Sequence, residues 1–241
     1  MRALVFAAGL GERMRPLTEH TPKPLLEVAG KPLIAWHLEK LAAIGVRDVV
    51  VNTSWLADRF APVLGDGARW GLRLHYLHEG PTPLETGGGM WNALPLLAPV
   101  DEADPVFLAV NGDIWCDAGL DTLRIGADHD AALLLVDNPQ HNPRGDFHLD
   151  ADGHVESDGP AKLTFAGIGL YRRSLFHGWR QTIGDAPGAD ETPPRFKLAP
   201  LLRAAMRKGR VSGTHHRGAW TDVGTPQRLQ ELDARLRSQA A

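Results

Sequence analysis

Ala3-Leu4-Val5-Phe6-Ala7-Ala8 runs without a polar break into Gly9-Leu10-Gly11-Glu12-Arg13-Met14-Arg15-Pro16-Leu17-Thr18, and Pro22-Lys23-Pro24 follows closely. The apolar run has the length and composition of a buried strand. Two glycines let backbone N–H groups approach an anion, and Arg13, Arg15 and Lys23 bring fixed positive charge to the same small region. A strand that ends in such a loop points to a polyphosphate site. The competing reading is a surface turn with scattered charges, which the strand in front of it disfavours.

Outward from that strand, helical and strand-like patterns alternate. Residues 32–44 place Leu33, Ile34, His37, Leu38, Leu41 and Ile44 at helical spacing, with Gly45 as a stop. Residues 48–52 and 72–77 read as strands, 55–64 and 90–97 as helices, and 105–110 as another buried strand. This β-α-β-α-β-α-β order with short links predicts a parallel sheet covered by helices on both faces. Ligands of such sheets bind beyond the carboxyl ends of the strands, where the loop after Ala8 and the Asn111-Gly112-Asp113 turn both lie. In the second half, 131–136, 146–149, 164–171 and 211–215 look like strands. Residues 196–208 and 226–237 look like helices, the latter with Thr225 as N-cap and Pro226 at its first position. No linker, internal repeat or hexapeptide periodicity of a parallel β-helix is present, so one domain over 1–241 is expected.

Composition narrows the function classes. The 241 residues are 43% hydrophobic and 23% charged, as in an ordinary soluble domain. No apolar run approaches the ~20 residues that span a bilayer, and charged residues directly after the first strand do not suit a signal peptide. The single cysteine, Cys116, excludes an internal disulfide and fits a reducing compartment, so a cytoplasmic location without membrane association is expected. A formal charge of −3 argues against nucleic acid as a partner, and the seven tryptophans do not interleave with basic runs. The eleven histidines show no zinc spacing. His215-His216 sits on a strand that points the two rings to opposite faces, which makes the pair structural.

Among glycine-rich phosphate loops, a dinucleotide fingerprint needs a third glycine where Met14 stands, and a P-loop needs a Gly-Lys-Ser/Thr ending that is missing. In both, a helix starts at once, whereas Pro16, Pro22 and Pro24 are expected to keep this chain extended. The segments 6–18, Pro22-Lys23-Pro24-Leu25 and Gly30-Lys31-Pro32-Leu33 strongly resemble the N-terminal signature of nucleoside-triphosphate sugar-1-phosphate nucleotidyltransferases. The resemblance recurs in Glu85-Thr86-Gly87-Gly88-Gly89 (similar to the family's base-binding loop) and in Asn111-Gly112-Asp113 and Trp220-Thr221-Asp222-Val223-Gly224-Thr225 (its two metal sites). Pro143-Arg144-Gly145-Asp146 is similar to the strand that lines its sugar pocket.

The resemblance implies a Rossmann-like three-layer α/β/α nucleotidyltransferase fold (GT-A-like) with a mostly parallel mixed central sheet. It divides the chain into a nucleotide-binding half, 1–113, and a sugar-phosphate half with the C-terminal helix, 114–241. It implies transfer of a nucleoside monophosphate to a sugar 1-phosphate with release of pyrophosphate. Bringing two anions together in line needs positioning and charge neutralisation and no protein nucleophile. Arg13 suits the β- and γ-phosphates by its planar fork, and Lys23 the α-phosphate as a mobile point charge. Gly9, Gly11 and Glu12 belong to the phosphate loop, the latter two as backbone N–H donors, with Gly88 and Asn111 completing the nucleotide site. Arg15 is open between a salt bridge to Glu12 or Glu19 and a ligand contact.

Asp113 and Asp222 offer the hard carboxylate oxygens that Mg²⁺ prefers. The alternatives are a simple turn at Asp113 and help in capping the last helix at Asp222. The resemblance assigns Gly145 and Lys162 to the sugar phosphate, although the neighbours Ala161 and Leu163 depart from the family's usual Glu-Lys-Pro setting and leave a solvated surface lysine as the alternative. Cys116 reads as a small buried filler. The Glu-Thr-Gly-Gly-Gly loop, the short length and the lack of a β-helix resemble a subgroup acting on a muramate sugar. UTP and N-acetylmuramate 1-phosphate are therefore the expected substrates, with GTP and mannose 1-phosphate as the alternative pair. Arg144, Lys162, Arg195 and Lys197 are the cations available for the lactyl carboxylate. Without the trimerising β-helix of longer relatives a monomer is expected. Some relatives keep the fold as a non-catalytic nucleotide-sensing module, which the presence of Lys23, Asp113 and Asp222 together disfavours.

Overall fold

The computed structural model describes residues 1–240. The first half comprises β1 (Arg2–Phe6), β2 (Glu27–Val28), β3 (Lys31–Pro32), α1 (Leu33–Ala43), β4 (Asp48–Thr53), α2 (Phe60–Leu64), β5 (Arg73–His78), α3 (Glu85–Leu97) and β6 (Val106–Asn111). The second comprises β7 (Ile114–Cys116), β8 (Ala131–Val136), β9 (Phe147–Leu149), β10 (Val155–Glu156), β11 (Lys162–Arg172), α4 (Trp179–Ile183), α5 (Ala199–Met206), β12 (Val211–His216), β13 (Trp220–Asp222) and α6 (Pro226–Ala240).

Strands β5, β4, β1 and β6 lie side by side and all parallel. The chain builds outward from β1 through β4 to β5 and then crosses back to place β6 on the other side of β1. That reversal opens a crevice at the carboxyl ends of β1, β4 and β6, where ligands of open α/β sheets bind. Beyond β6 the sheet becomes mixed. β11 runs antiparallel to β6, and the eleven-residue length of β11 lets it pair β9 through Lys162 and Leu163 and β8 through Thr164 to Tyr171. The register on β8 shifts between Phe165 and Gly169, around Gly167 at φ +77°.

Alternation along the strands splits the core into two layers. Ala3, Val5, Val49, Val51, Leu108 and Val110 face α1 and α2 in one cluster, whereas Leu4, Val50, Phe107 and Ala109 face α3, α4 and α5 in the other. These layers make the three-layer α/β/α fold with a mostly parallel, mixed sheet. A third cluster joins Met14 of the opening loop to Leu26, Val28, Leu33, Trp115, Val223 and the α6 residues Leu232 and Leu236. Met14, the residue at odds with a dinucleotide fingerprint, is thus the apolar anchor on which the phosphate-type loop rests. Among the described residues no helix is long and apolar enough to cross a membrane.

Three local differences from the sequence reading have physical causes. The proline-rich stretch after Gly11 does not stay extended but folds into short 3-10 turns at Glu12–Met14, Leu17–Glu19 and Lys23–Leu25, which tolerate proline at their starts. The expected helix over 55–64 begins as a 3-10 turn at Ala57–Arg59. The expected helix over 196–208 is only Ala199–Met206, because the Phe196 N–H donates to the Leu84 carbonyl and the Leu198 N–H to Thr86 Oγ1, which ties these residues to the start of α3 and keeps them out of the helix.

Candidate active site at the carboxyl edge of the parallel strands

β1 ends at Phe6, and Ala7 to Met14 turn over the sheet edge to line a cavity of about 680 Å³. Its other walls are Lys23, Pro24, Asn52, Glu79, Thr82, Pro83, Glu85, Thr86, Asn111, Asp113, Arg195 and Gly224, drawn from the turn at Lys23–Leu25, the ends of β4, β5 and β6, the start of α3, and the segments before α5 and after β13. Gly11 is left-handed at φ +66°, and a Cβ there would lie 2.8 Å from Thr18 Cγ2, so the turn requires glycine. Thr18 Oγ1 donates to the Gly11 carbonyl at 2.7 Å and pins the same turn. A Cβ on Gly9 would meet nothing within 4 Å. Gly9 leaves open space over the cavity wall, which suits close approach of a ligand.

Lys23 is buried, yet its Nζ donates to Asp113 Oδ2 at 2.6 Å. Burial costs the Lys23 ammonium hydration, and the half-exposed Asp113 carboxylate offsets part of that cost. Arg13 lines the same cavity and, among the described residues, has no salt-bridge partner. Its guanidinium is free to meet an anion. Arg15 neither lines the cavity nor pairs with Glu12 or Glu19. Gly112 N–H donates to the Phe6 carbonyl at 2.9 Å, and a Cβ would sit 2.6 Å from that oxygen. This close approach fuses the Asn111-Gly112-Asp113 turn to the end of β1. Asn111 itself lines the cavity and packs against Gly167.

Pairing of β7 with β13 sets Asp222 opposite Ile114, and the Val223 N–H donates to the Asp113 carbonyl at 3.0 Å. Two carboxylates 109 positions apart in sequence are thereby brought to adjacent strand ends. Asp222 Oδ2 accepts from Arg228 at 3.0 Å and lies 3.3 Å from His141 Nε2. The α6 cap is Thr225, whose Oγ1 accepts the Arg228 N–H at 3.3 Å, so Asp222 is not needed for capping. Asp113 is paired with Lys23 and Asp222 with Arg228 and His141, and carboxylate oxygens of this kind are the hard donors that divalent cations take. His37, fully buried beside this turn, holds the Ile114 carbonyl at 2.8 Å, and burial lowers its pKa to about 4. It stays neutral and fixes the strand that follows Asp113.

Sequence reading missed Asn52 and Glu79. Asn52 Oδ1 accepts the Ala7 N–H at 2.7 Å, its Nδ2 donates to Glu79 Oε1 at 2.7 Å, and Glu79 Oε2 accepts the Leu84 N–H at 2.9 Å. This chain of bonds ties the ends of β1 and β4 to the approach of α3. Burial raises the Glu79 pKa, and the two donated hydrogen bonds partly offset it. The available signal was a polar residue closing each apolar strand.

The structure gives Gly88 a task other than facing a base. Glu85-Thr86-Gly87-Gly88-Gly89 is not a loop but the first turn of α3. Gly88 N–H donates to the Phe196 carbonyl, and a Cβ there would lie 2.3 Å from the Pro194 carbonyl oxygen. Gly87 presses on the Phe196 ring and Gly89 on Glu79. The members of this turn that reach the cavity are Glu85, at φ +62°, and Thr86.

A second cavity of about 280 Å³ shares Phe6, Thr86 and Asn111 with the first and extends between β9, β11 and α5. Gly145, at φ +65°, adjoins Lys162, and a Cβ on it would lie 2.8 Å from the Lys162 carbonyl carbon. Lys162 lines neither cavity, and its Nζ donates to Asp158 at 2.9 Å. Cys116 is buried, and burial raises its pKa, which leaves an inert thiol.

Comparison with known proteins places these features. Residues 2–157 match the nucleotidyl transferase family model. An N-acetylmuramate alpha-1-phosphate uridylyltransferase of Neisseria meningitidis serogroup B is 47% identical, over 97% of this chain and 97% of its own. One of Caulobacter vibrioides is 36% identical over 97% and 96%. The mannose-1-phosphate guanylyltransferase of Mycobacterium tuberculosis is 30% identical over 93% of this chain but only 61% of its own length. A crystal structure of a candidate glucose-1-phosphate thymidylyltransferase from Bacillus anthracis superposes with a TM-score of 0.79 over 98% of this chain and 95% of that one. At 20% identity it speaks to the fold alone. The chain belongs to the nucleotidyl transferase family.

Proposed function

We propose that the protein transfers UMP from UTP to N-acetylmuramate α-1-phosphate, giving UDP-N-acetylmuramate and pyrophosphate in the cytoplasmic recycling of cell-wall sugars. The observation that carries the reaction type is the Lys23–Asp113 pair, held at 2.6 Å where the glycine loop meets the turn after β6. The choice of UTP and the muramate ester rests on relatives of that name aligned over nearly the whole chain.

In this reading a phosphate oxygen of the acceptor attacks the α-phosphorus of UTP. The new P–O bond forms as the α–β bridging bond breaks, and its electron pair leaves on pyrophosphate. Arg13 neutralises the β- and γ-phosphates, and the Gly11 and Glu12 backbone N–H groups orient them. Lys23 divides its protons between Asp113 and the α-phosphate, so its charge follows the negative charge as that shifts. Gly9 gives the triphosphate room against the loop, and Asn111, which lines both cavities, stands between the two substrates. Asp113 and Asp222 would hold Mg²⁺, which supplies further charge neutralisation of the phosphates when bound. Gly145 and Lys162 serve the acceptor phosphate, with Lys162 leaving its exposed pairing with Asp158.

Pyrophosphate release measured across four nucleoside triphosphates and a panel of sugar 1-phosphates tests the proposal. The UTP and N-acetylmuramate 1-phosphate pair should exceed every other combination. Strong turnover of GTP with mannose 1-phosphate, and none with the muramate pair, would contradict it.

A further inference from the structure

The second cavity opens from the first through Phe6, Thr86 and Asn111, so an acceptor seated there has its phosphate directed at the triphosphate site. Its walls are mainly apolar, from Phe147, Phe165, Leu198 and Leu202, and the charged groups on them are Asp146 and Arg203. The Asp146 carboxylate is already tied into the framework, accepting the Phe165 N–H at 2.8 Å and Asn142 Nδ2 at 3.2 Å. Arg203, on α5, differs. Among the described residues its guanidinium makes no hydrogen bond and no salt bridge; the carboxylate that feels its charge is Asp158, which is already bonded to Lys162. Asn111, toward which the acceptor phosphate is directed, is shared by both cavities, whereas Arg203 lines the second alone. A free, permanently charged planar fork at the α5 wall therefore suits a second anionic group, carried by the sugar itself.

Other nearby cations are occupied or turned elsewhere. Lys162 pairs with Asp158 at 2.9 Å, and Arg195 pairs with Glu191 at 2.9 Å on the first cavity. Arg144 and Lys197 line neither cavity. We infer that Arg203 is the specificity-determining residue for the acceptor: its guanidinium binds the lactyl carboxylate that distinguishes N-acetylmuramate 1-phosphate from glucosamine-type esters. This rests on the muramate reading of the proposed function. Leu198 and Leu202 border the same wall and suit the methyl group beside that carboxylate.

The test crosses a change in the residue with a change in the ligand. Wild type and Arg203→Gln are assayed with UTP and either N-acetylmuramate 1-phosphate or its lactyl methyl ester, which removes the charge and keeps the rest of the sugar. A hydrogen bond to a charged group predicts that esterification lowers wild-type kcat/KM about 10- to 100-fold. In Arg203→Gln the esterification penalty should shrink to about 3-fold or less, because the partner of the carboxylate is gone. Arg203 is exposed, so the variant should keep the wild-type melting temperature. An esterification penalty of full size in the variant would overturn the assignment while leaving the muramate reading intact. A wild type that does not turn over N-acetylmuramate 1-phosphate and uses another acceptor would remove the reading and the inference together.

Discussion

Gly9 and Gly11 stand one residue apart and serve different ends. Gly11 is held left-handed against Thr18, whereas Gly9 has open space where a side chain would go. Gly11→Ala should cost about 1–2 kcal/mol of stability in urea unfolding, the usual penalty for an L-residue forced left-handed. Gly9→Ala should melt like wild type and yet raise KM for the triphosphate about 10-fold, because the methyl group occupies ligand space. Equal losses of stability in the two variants would refute this division. His37 adds a pH dependence. Its folded pKa of about 4 lies below the ordinary value of 6.5, so the stability linked to its neutral form is complete above pH 6.5 and is lost as the pH falls toward 4. Between pH 7.5 and pH 5 wild type should lose about 2 kcal/mol more than His37→Gln, at about 1.4 kcal/mol per unit of pKa. Parallel unfolding curves for the two proteins would contradict this.

The first turn of α3 shows where the sequence was legible and where it was not. Three consecutive glycines are poor helix formers, each costing about 1 kcal/mol against alanine, so local propensity favours a loop. Tertiary contact decides otherwise: each glycine lets the helix approach a different neighbour, Phe196, Pro194 or Glu79. The buried strands, α1 and the cap of α6 at Thr225 could be read directly, because apolar runs, helical periodicity and capping chemistry are local signals. The Lys23–Asp113 contact joins residues 90 positions apart and left no local trace, and the Asn52–Glu79 bond left only the polar residue that closes each strand. That the glycine loop lines the cavity was legible, because glycine spacing and charge are written in one segment. The division into Arg13 free and Lys23 paired was not. At this scale Gly88→Ala provides the check. Alanine should stabilise an ordinary helix, but here its Cβ would lie 2.3 Å from the Pro194 oxygen. The variant should lose at least 1 kcal/mol in urea unfolding, and a gain in stability would show that the packing is looser than described.

Across the whole molecule, the sheet supplies the edge and α6 supports what lies on it. Leu232 and Leu236 of the last helix share one apolar cluster with Met14 beneath the glycine loop and with Val223 beside Asp222. Leu232→Ala should therefore destabilise the fold by about 2–5 kcal/mol, as buried leucine truncations do. It should also raise KM for the triphosphate in the fraction that stays folded at 20 °C, since both halves of the site rest on that cluster. Unaltered kinetics would mean that the loop holds its shape without α6. The central claim is that the edge built around Lys23 and Asp113 is a centre for nucleotidyl transfer and not merely a triphosphate-binding surface. Lys23→Ala, assayed for UTP-dependent pyrophosphate release with saturating acceptor, addresses it most directly. A charge that matters most as the bond to the leaving pyrophosphate breaks predicts a fall in kcat of about 100-fold or more with a smaller rise in KM. A rise in KM with kcat unchanged would contradict the claim and leave Lys23 a binding residue only.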